Sequence, residues 1–358
     1  MTGLFVGFVI AFLISLAVTP FVSRFAFYVG AVDRPDARKV HSRLMPRLGG
    51  LGIYLAFTLT VLLMEPMSKD IVGLLLGGTL IMVIGFIDDI RNMSPRTKLL
   101  GQIVAASVLV VFGIKLKFIT NPFGALLYLQ YFGIDFGIPL TILWVVGVTN
   151  AVNLVDGLDG LAGGLASIAA MTIGVIAWHE GQTLAVVPAV VLCASITGFL
   201  KYNFHPAKIF MGDSGSLFLG YMLAGLSLMG LTKGASVITI FVPVLIFGIP
   251  IFDTLFAILR RYINNKPIFQ ADKEHLHHRL LALGLSHRQT VLVIYAVSCF
   301  LGVSAVFLTF LTTAQAFAVF VGISVLVFVA ANRVGVLSTK VARRMNAPEA
   351  QNKTNLSA

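Results

Sequence analysis

Residues Asn150 to Leu161 read Asn-Ala-Val-Asn-Leu-Val-Asp-Gly-Leu-Asp-Gly-Leu. Asn150, Asn153 and Asp156 are three residues apart, which puts them on one face of a helix. Asp159 follows at the same interval after Gly157. Amides and carboxylates are hard oxygen ligands suited to magnesium, which keeps several waters and takes substrate phosphate oxygens. The glycines let backbone N–H groups come close to a ligand. The plain alternative is a polar turn between apolar segments, and four oxygen-bearing groups at a fixed interval count against it. Asp88 and Asp89 close the segment Gly85-Phe-Ile-Asp-Asp. Adjacent carboxylates repel one another, and a helix C-terminus disfavours negative charge. A bound cation or a proton would relieve both problems better than solvation of a bare helix end.

Three further segments carry chemistry. Phe210-Met-Gly-Asp213-Ser-Gly-Ser216 precedes an apolar run. A helix cap by Asp213 or Ser214 explains one residue, but not two glycines beside an aromatic able to stack on a base. Asp272-Lys-Glu-His275-Leu-His277-His278-Arg279-Leu280 lacks the zinc-protease spacing, which needs histidines four apart with Glu next to the first. Its imidazoles and guanidinium instead offer donors to phosphate oxygens, with bound zinc as the competing reading. The segment Val32–Gly50 is rich in cations, including Arg38, Lys39 and Arg43. Membrane orientation alone demands such charges, and anionic lipid headgroups attract them. Only Pro46-Arg-Leu-Gly-Gly has the look of a shaped site. Asp253 lies about two turns before Arg260 in an apolar run; it is either functional or the partner of a polar neighbour.

These segments must be positioned by membrane helices. The chain of 358 residues is 58% hydrophobic and only 11% charged, whereas soluble domains carry roughly 25% charged residues. A span needs about 20 apolar residues, and the hydropathy pattern predicts eleven of them. They run over about 3–24, 48–65, 71–88, 97–113, 138–153, 160–178, 183–200, 214–231, 236–261, 289–311 and 313–332. Residues 1–332 therefore read as one polytopic all-α domain, and 333–358 as a basic, partly disordered tail. The first run lacks a basic leader and is too long for a signal-peptide core, so it reads as a span. Gly, Pro and Asn punctuation near 115–137 predicts a short interfacial hairpin.

All of the 26 Lys and Arg except Lys69, Lys115, Lys117 and Lys233 fall on one set of alternate loops and the tail. Positive charge marks the cytoplasmic side, so the N-terminus is expected outside and the C-terminus inside, in a bacterial inner membrane. The net charge of +11 is thus a topological signature, not a sign of nucleic-acid binding. Cys193 and Cys299 lie in expected spans and suggest no disulfide. Most acids and the His-rich loop share the cytoplasmic face. That layout suits an enzyme joining a water-soluble substrate to a lipid headgroup. A transporter would carry ionisable groups near the midplane.

Taken together, the chain resembles the polyprenyl-phosphate N-acetylhexosamine-1-phosphate transferases. The resemblance runs from Lys39-Val-His through Asp88-Asp89, the Asn-x-x-Asn-x-x-Asp-Gly-x-Asp-Gly block and Met-Gly-Asp-Ser-Gly-Ser to His-x-His-His-Arg. Its Pro-Arg-Leu-Gly-Gly and His-His-Arg-Leu segments look like the branch that starts teichoic acid, enterobacterial common antigen or O-antigen synthesis. The resemblance implies transfer of GlcNAc-1-phosphate from UDP-GlcNAc to undecaprenyl phosphate, with UMP released and magnesium, or else manganese, as cofactor. It matches Asp213 and Asn153 to metal ligands, and Asp88 and Asp89 to a pair handling the lipid phosphate. Gly157, Leu158, Asp159 and Phe210 match a uridine pocket. Asp156, His275, His277, His278 and Arg279 would join the catalytic set, the last four holding the sugar-side phosphate. Lys39 and Asn150 would assist substrate binding. The expected partners are the two substrates and the bilayer, with a homodimer left open. Two alternatives stay open: transfer of phospho-MurNAc-pentapeptide, and a lipid or nucleotide-sugar transporter.

Overall fold

The structure is a computed structural model describing residues 2–33, 44–119, 127–231, 241–263, 265, 275–333 and 335. The helices, in chain order, are α1 (Thr2–Val29), α2 (Gly49–Met64), α3 (Lys69–Arg91), α4 (Pro95–Val111), α5 (Gly137–Val155), α6 (Leu161–His179) and α7 (Thr183–Asn203). They continue with α8 (Gly212–Leu231), α9 (Phe241–Ile246), α10 (Gly248–Ile263), α11 (Leu276–Ala282), α12 (His287–Leu308) and α13 (Thr313–Arg333). Seven of them, α1, α3, α5, α6, α7, α12 and α13, are long and apolar enough to cross a bilayer. The protein is an all-α integral membrane protein. Among the described residues, strands are confined to two-residue ladders: β1 (Val32–Asp33) with β2 (Met45–Pro46), β3 (Phe118–Ile119) with β4 (Leu127–Tyr128), and β5 (Gln130–Tyr131) with β6 (Ile134–Asp135).

Helix starts follow local chemistry. Ser68, Ser94 and Ser286 each accept a backbone N–H from the first turn of α3, α4 and α12, and Gln289 completes a capping box on the last. The centre of the bundle is α8, which packs against α2, α3, α5, α6, α7 and α9. Every residue from Ser214 to Gly230 is buried, as expected of a helix that is apolar all round. At the other extreme, α13 lies at the margin of the bundle, with only 6% of its most apolar window buried. In a bilayer its open surface is solvated by lipid.

The structure departs from the sequence expectations in three places. The ninth run is two helices, broken at Phe247. Pro250 has no N–H for the Ile246 carbonyl and Gly248 sits beside the break, the two ordinary causes of a bent helix. Near 115–137 there are two small hairpins in place of one, β3–β4 and β5–β6, with 120–126 outside the described residues. The His-rich segment folds into the short helix α11. The tail beyond Gly335 lies outside the described residues.

Candidate active site

Because α8 is the central helix, its N-terminus marks the middle of one end of the bundle. Asp89 of α3 reaches that terminus from the side. Its two carboxylate oxygens accept the backbone N–H groups of Asp213 (2.8 Å) and Ser214 (3.0 Å), and its side chain is fully buried. Asp89 is thus a helix cap supplied from a different part of the chain, placed where the helix dipole favours negative charge. Asp88 does not cap the helix. It accepts the backbone N–H of Met93 (2.6 Å), pairs with the ammonium of Lys98 in α4 and lies against the Asp213 carboxyl group. The two neighbours therefore do different work: Asp89 holds α8, and Asp88 faces Lys98.

Lys98 also lies 3.5 Å from Asp213, and Arg47 lies 3.6 Å from Asp89 and 3.8 Å from Asp213. Asn153 donates through Nδ2 to Asp213 Oδ1 (2.6 Å) and to Ser216 Oγ (2.8 Å). Asp156, in the turn after α5, is pushed up to about 7 by burial and then by the negative charges of Asp213 and Asp89. Among the described residues, four carboxyl groups share this corner with two cations, Arg47 and Lys98. Carboxylates and an amide are a hard-oxygen donor set, so these residues fit magnesium.

Two glycine-bearing segments cross at the same point. Phe210 N–H donates to Pro46 (2.8 Å), while Gly49 and Gly50 N–H donate to Phe210 and Met211 (both 2.9 Å). A Cβ on Gly50 would collide with the backbone of Gly215, and Gly212, at φ +73°, would drive one into the Arg47 carbonyl. The ladder fixes the Pro46–Gly50 and Phe210–Met211 segments to one another at the start of α8. Leu158 is part of the apolar packing beneath.

A second polar corner is built on α11. Asp253 of α10 lies 2.9 Å from His275 Nδ1 and accepts the Leu276 backbone N–H at 2.9 Å. The next imidazole, His277, is buried and packs against Gly157, where a Cβ would strike its Nε2. Among the described residues that nitrogen has no hydrogen-bond partner. Burial, followed by the charge of His278, pushes the His277 pKa down to about 3. The His277 and His278 ring centroids are 4.2 Å apart.

The site residues expected from sequence divide as follows. Asp88, Asp89, Asn153, Asp156 and Asp213 meet at the α8 corner; His275, His277 and His278 meet at α11, with Gly157 joining the two. Phe210 is laced to the first corner through its backbone. Arg279 is buried and donates to the Gly335 carbonyl beyond α13. Asn150 forms a reciprocal amide pair with Gln102 of α4, 2.7 and 3.2 Å, a turn away from Asn153. Asp159 accepts from the Ala207 backbone (3.1 Å) and lies 2.8 Å from His205. Lys39, Asp272 and Glu274 lie outside the described residues. Sequence reasoning missed Lys98. Its signal was a lysine in the first turns of a helix, where the dipole disfavours a cation unless an acid faces it.

A polytopic helical bundle with charged side chains gathered at one end defines an integral membrane protein with a polar, cation-fitting corner. The family model described as "Glycosyl transferase family 4" matches residues 71–231, the stretch from α3 to α8 that carries the acids and Lys98 of the first corner. A "Probable undecaprenyl-phosphate N-acetylglucosaminyl 1-phosphate transferase" of Bacillus subtilis is 43% identical over 310 residues, 86% of each chain. A "Decaprenyl-phosphate N-acetylglucosaminephosphotransferase" of Mycolicibacterium smegmatis is 37% identical over 313 residues, 80% of this chain and 77% of that one. A "Phospho-N-acetylmuramoyl-pentapeptide-transferase" of Halalkalibacterium halodurans is 32% identical over 325 residues, 85% of this chain and 96% of that one. The chain belongs to the polyprenyl-phosphate GlcNAc-1-phosphate transferase family, a group of glycosyl transferase family 4.

Proposed function

We propose that this enzyme transfers GlcNAc-1-phosphate from UDP-GlcNAc to undecaprenyl phosphate and so opens the assembly of a cell-envelope glycopolymer. The observation that carries the reading is the closeness of the two corners: Asp156 feels the charges of Asp213 and Asp89 at the start of α8, and the next residue, Gly157, packs against the His277 imidazole. A nucleotide diphosphate needs both kinds of neighbour. Relatives named for GlcNAc-1-phosphate transfer reach 43% identity, against 32% for the muramoyl-pentapeptide relative, which favours GlcNAc as the sugar.

In the reaction a lipid-phosphate oxygen attacks the β-phosphorus of UDP-GlcNAc. A bond forms between that oxygen and phosphorus, the β-phosphorus to bridging-oxygen bond breaks, and UMP leaves with the electron pair. The nucleophile is already an anion, so positioning and electrostatics supply most of the acceleration. A divalent cation held by Asp213 and Asn153 would offset the charge of the diphosphate. Lys98, between Asp88 and Asp213, is suited to draw the incoming phosphate. Asp88 orients that phosphate or takes its proton. Asp89 fixes the first turn of α8 and therefore Asp213. His277 can donate through Nε2 to a phosphate oxygen, and Phe210 can stack on uracil. With cations concentrated on this side of the chain, the site faces the cytoplasm.

The test is purified protein with sugar-labelled UDP-GlcNAc, undecaprenyl phosphate and magnesium. Labelled lipid and equimolar UMP are expected. No labelled lipid from UDP-GlcNAc, with UMP released only when UDP-MurNAc-pentapeptide is supplied, would assign the other donor. In the same assay Phe210→Ala should weaken donor affinity, and an unchanged KM would remove the stacking role.

A further inference from the structure

Two lysines lie apart from both corners, at the far end of the bundle. Lys115 and Lys117 follow α4, and with Phe118 they line a cavity of about 140 Å3 whose walls also include Leu228 and Met229, near the end of α8. At 1.5 Å per residue, Leu228 is about 22 Å along α8 from Asp213, so the cavity is separate from the reaction. Lys115 and Lys117 are also two of the cations, with Lys69 and Lys233, that stand against the charge asymmetry of the loops. We propose that this cavity binds the phosphate headgroup of an anionic phospholipid, in the membrane leaflet opposite the active-site corner.

Charge and shape select the ligand. Lys115 is paired with Asp135, whereas among the described residues the exposed Lys117 ammonium has no ion pair. The plain alternative is that the lysines cap the end of α4, where the helix dipole favours cations. That end is already closed by backbone: the Phe112, Gly113 and Ile114 N–H groups donate in turn to the carbonyls of Val108, Val110 and Leu109. The Lys117 charge is therefore left for a ligand. The floor is apolar, Leu228 and Met229 being 3% and 2% exposed, which suits the carbons beside a lipid phosphate and gives a free ion nothing. A single water needs roughly 10–15 Å3 of such space, so a phosphodiester fits. The walls are set in advance. Leu116 N–H donates to Thr141 Oγ1 (2.9 Å), and the Lys117 carbonyl accepts the Leu129 N–H (3.0 Å). Tyr128, Tyr131, Phe132 and Phe136 are exposed on and beside the two hairpins, and aromatic residues settle at the headgroup level of a bilayer. The cavity thus opens at the depth where lipid phosphates lie.

The test needs no substrate. Full-length protein is reconstituted into phosphatidylcholine vesicles with a trace of phosphatidylglycerol that carries a photoreactive diazirine beside its glycerol, and labelled peptides are mapped by mass spectrometry. Labelling of residues 113–118 and 228–229 is expected to exceed that from a matching phosphatidylcholine probe. The excess should fall about 5-fold in Lys117→Gln and persist in Lys117→Arg and in Lys69→Gln. The last variant removes a cation outside the cavity and so separates the site from general surface charge. Equal labelling by the two probes, or an excess unchanged in Lys117→Gln, overturns the proposal. Excess inorganic phosphate is expected to leave the labelling in place; its loss would assign the cavity to a free anion and overturn the lipid. Should Lys117→Gln fail to fold, salt at about 1 M, where screening acts over about 3 Å, is expected to bring the two probes level in the wild type. An unchanged preference there also overturns it.

Discussion

Asp89 and Asp253 perform the same act in two places. Each is a buried carboxylate on one helix that accepts backbone N–H groups from the start of another, Asp89 at α8 and Asp253 at α11. The helices they hold differ. α8 is a 20-residue helix at the centre of the bundle, and its first turn carries an acid, Asp213. α11 has seven residues and carries imidazoles. One device thus fixes an acidic corner and a basic-capable corner, and Gly157 lets them touch. Side chains of opposite character are each positioned by backbone, which costs no freedom when substrate arrives. A carboxylate spent as a cap is not available as a base, which is why Asp88 and Asp89 cannot be read as an equivalent pair.

The comparison can be broken by substitution. The largest effect is expected for Asp213→Asn, a fall in metal-dependent turnover of at least about 100-fold; near-normal kcat would remove Asp213 from the metal corner. Asp88→Asn should lower kcat much more than it raises KM for UDP-GlcNAc, whereas Asp89→Asn should also lower the thermal midpoint. The loss in the second case is about 1–2 kcal/mol, one charged cap on a long helix. Equal midpoints for the two variants would erase the distinction between them. Asp253→Asn should cost less stability, under about 1 kcal/mol, because α11 is short, and it should act mainly through donor KM as His275 loses its partner. A midpoint drop as large as that of Asp89→Asn would make the two corners equal.

The smallest expected effect is on pH dependence. Asp156 has its pKa raised to about 7, so at lower pH it is protonated and opposes cation binding less by repulsion of ligands but also attracts the cation less. The net sign is set by attraction: a divalent ion competes with this proton, so apparent magnesium affinity should increase as pH rises through about 7. Stability runs the other way. A carboxyl that is easier to protonate folded than unfolded favours folding at low pH and loses that contribution as pH rises through about 7. Asp156→Asn should flatten both slopes, and a magnesium affinity that stays level in the wild type would discount the coupling.

Much of the architecture was legible in sequence because apolar runs of membrane length and their charged ends are local signals. The α9–α10 break was also written locally, in Gly248 and Pro250, but a hydropathy window averages over single residues. The site was legible as motifs and not as roles. Asp89 takes its role from backbone groups 124 and 125 residues away, and no spacing rule reaches that far. Asp253 was left between a functional and a structural reading for the same reason. Asn150 shared a helical face with Asn153, yet Gln102, 48 residues earlier, engages its amide. Periodicity says which residues share a face and is silent on what the face meets.

The central claim is that a phosphoryl-linked sugar moves as one unit at this site. The direct measurement uses UDP-GlcNAc radiolabelled in its β-phosphate, with undecaprenyl phosphate and magnesium. The account predicts that the label enters the lipid as a diphosphate-linked sugar while unlabelled UMP is released. Label remaining in nucleotide as UDP, with the sugar alone on the lipid, would contradict it.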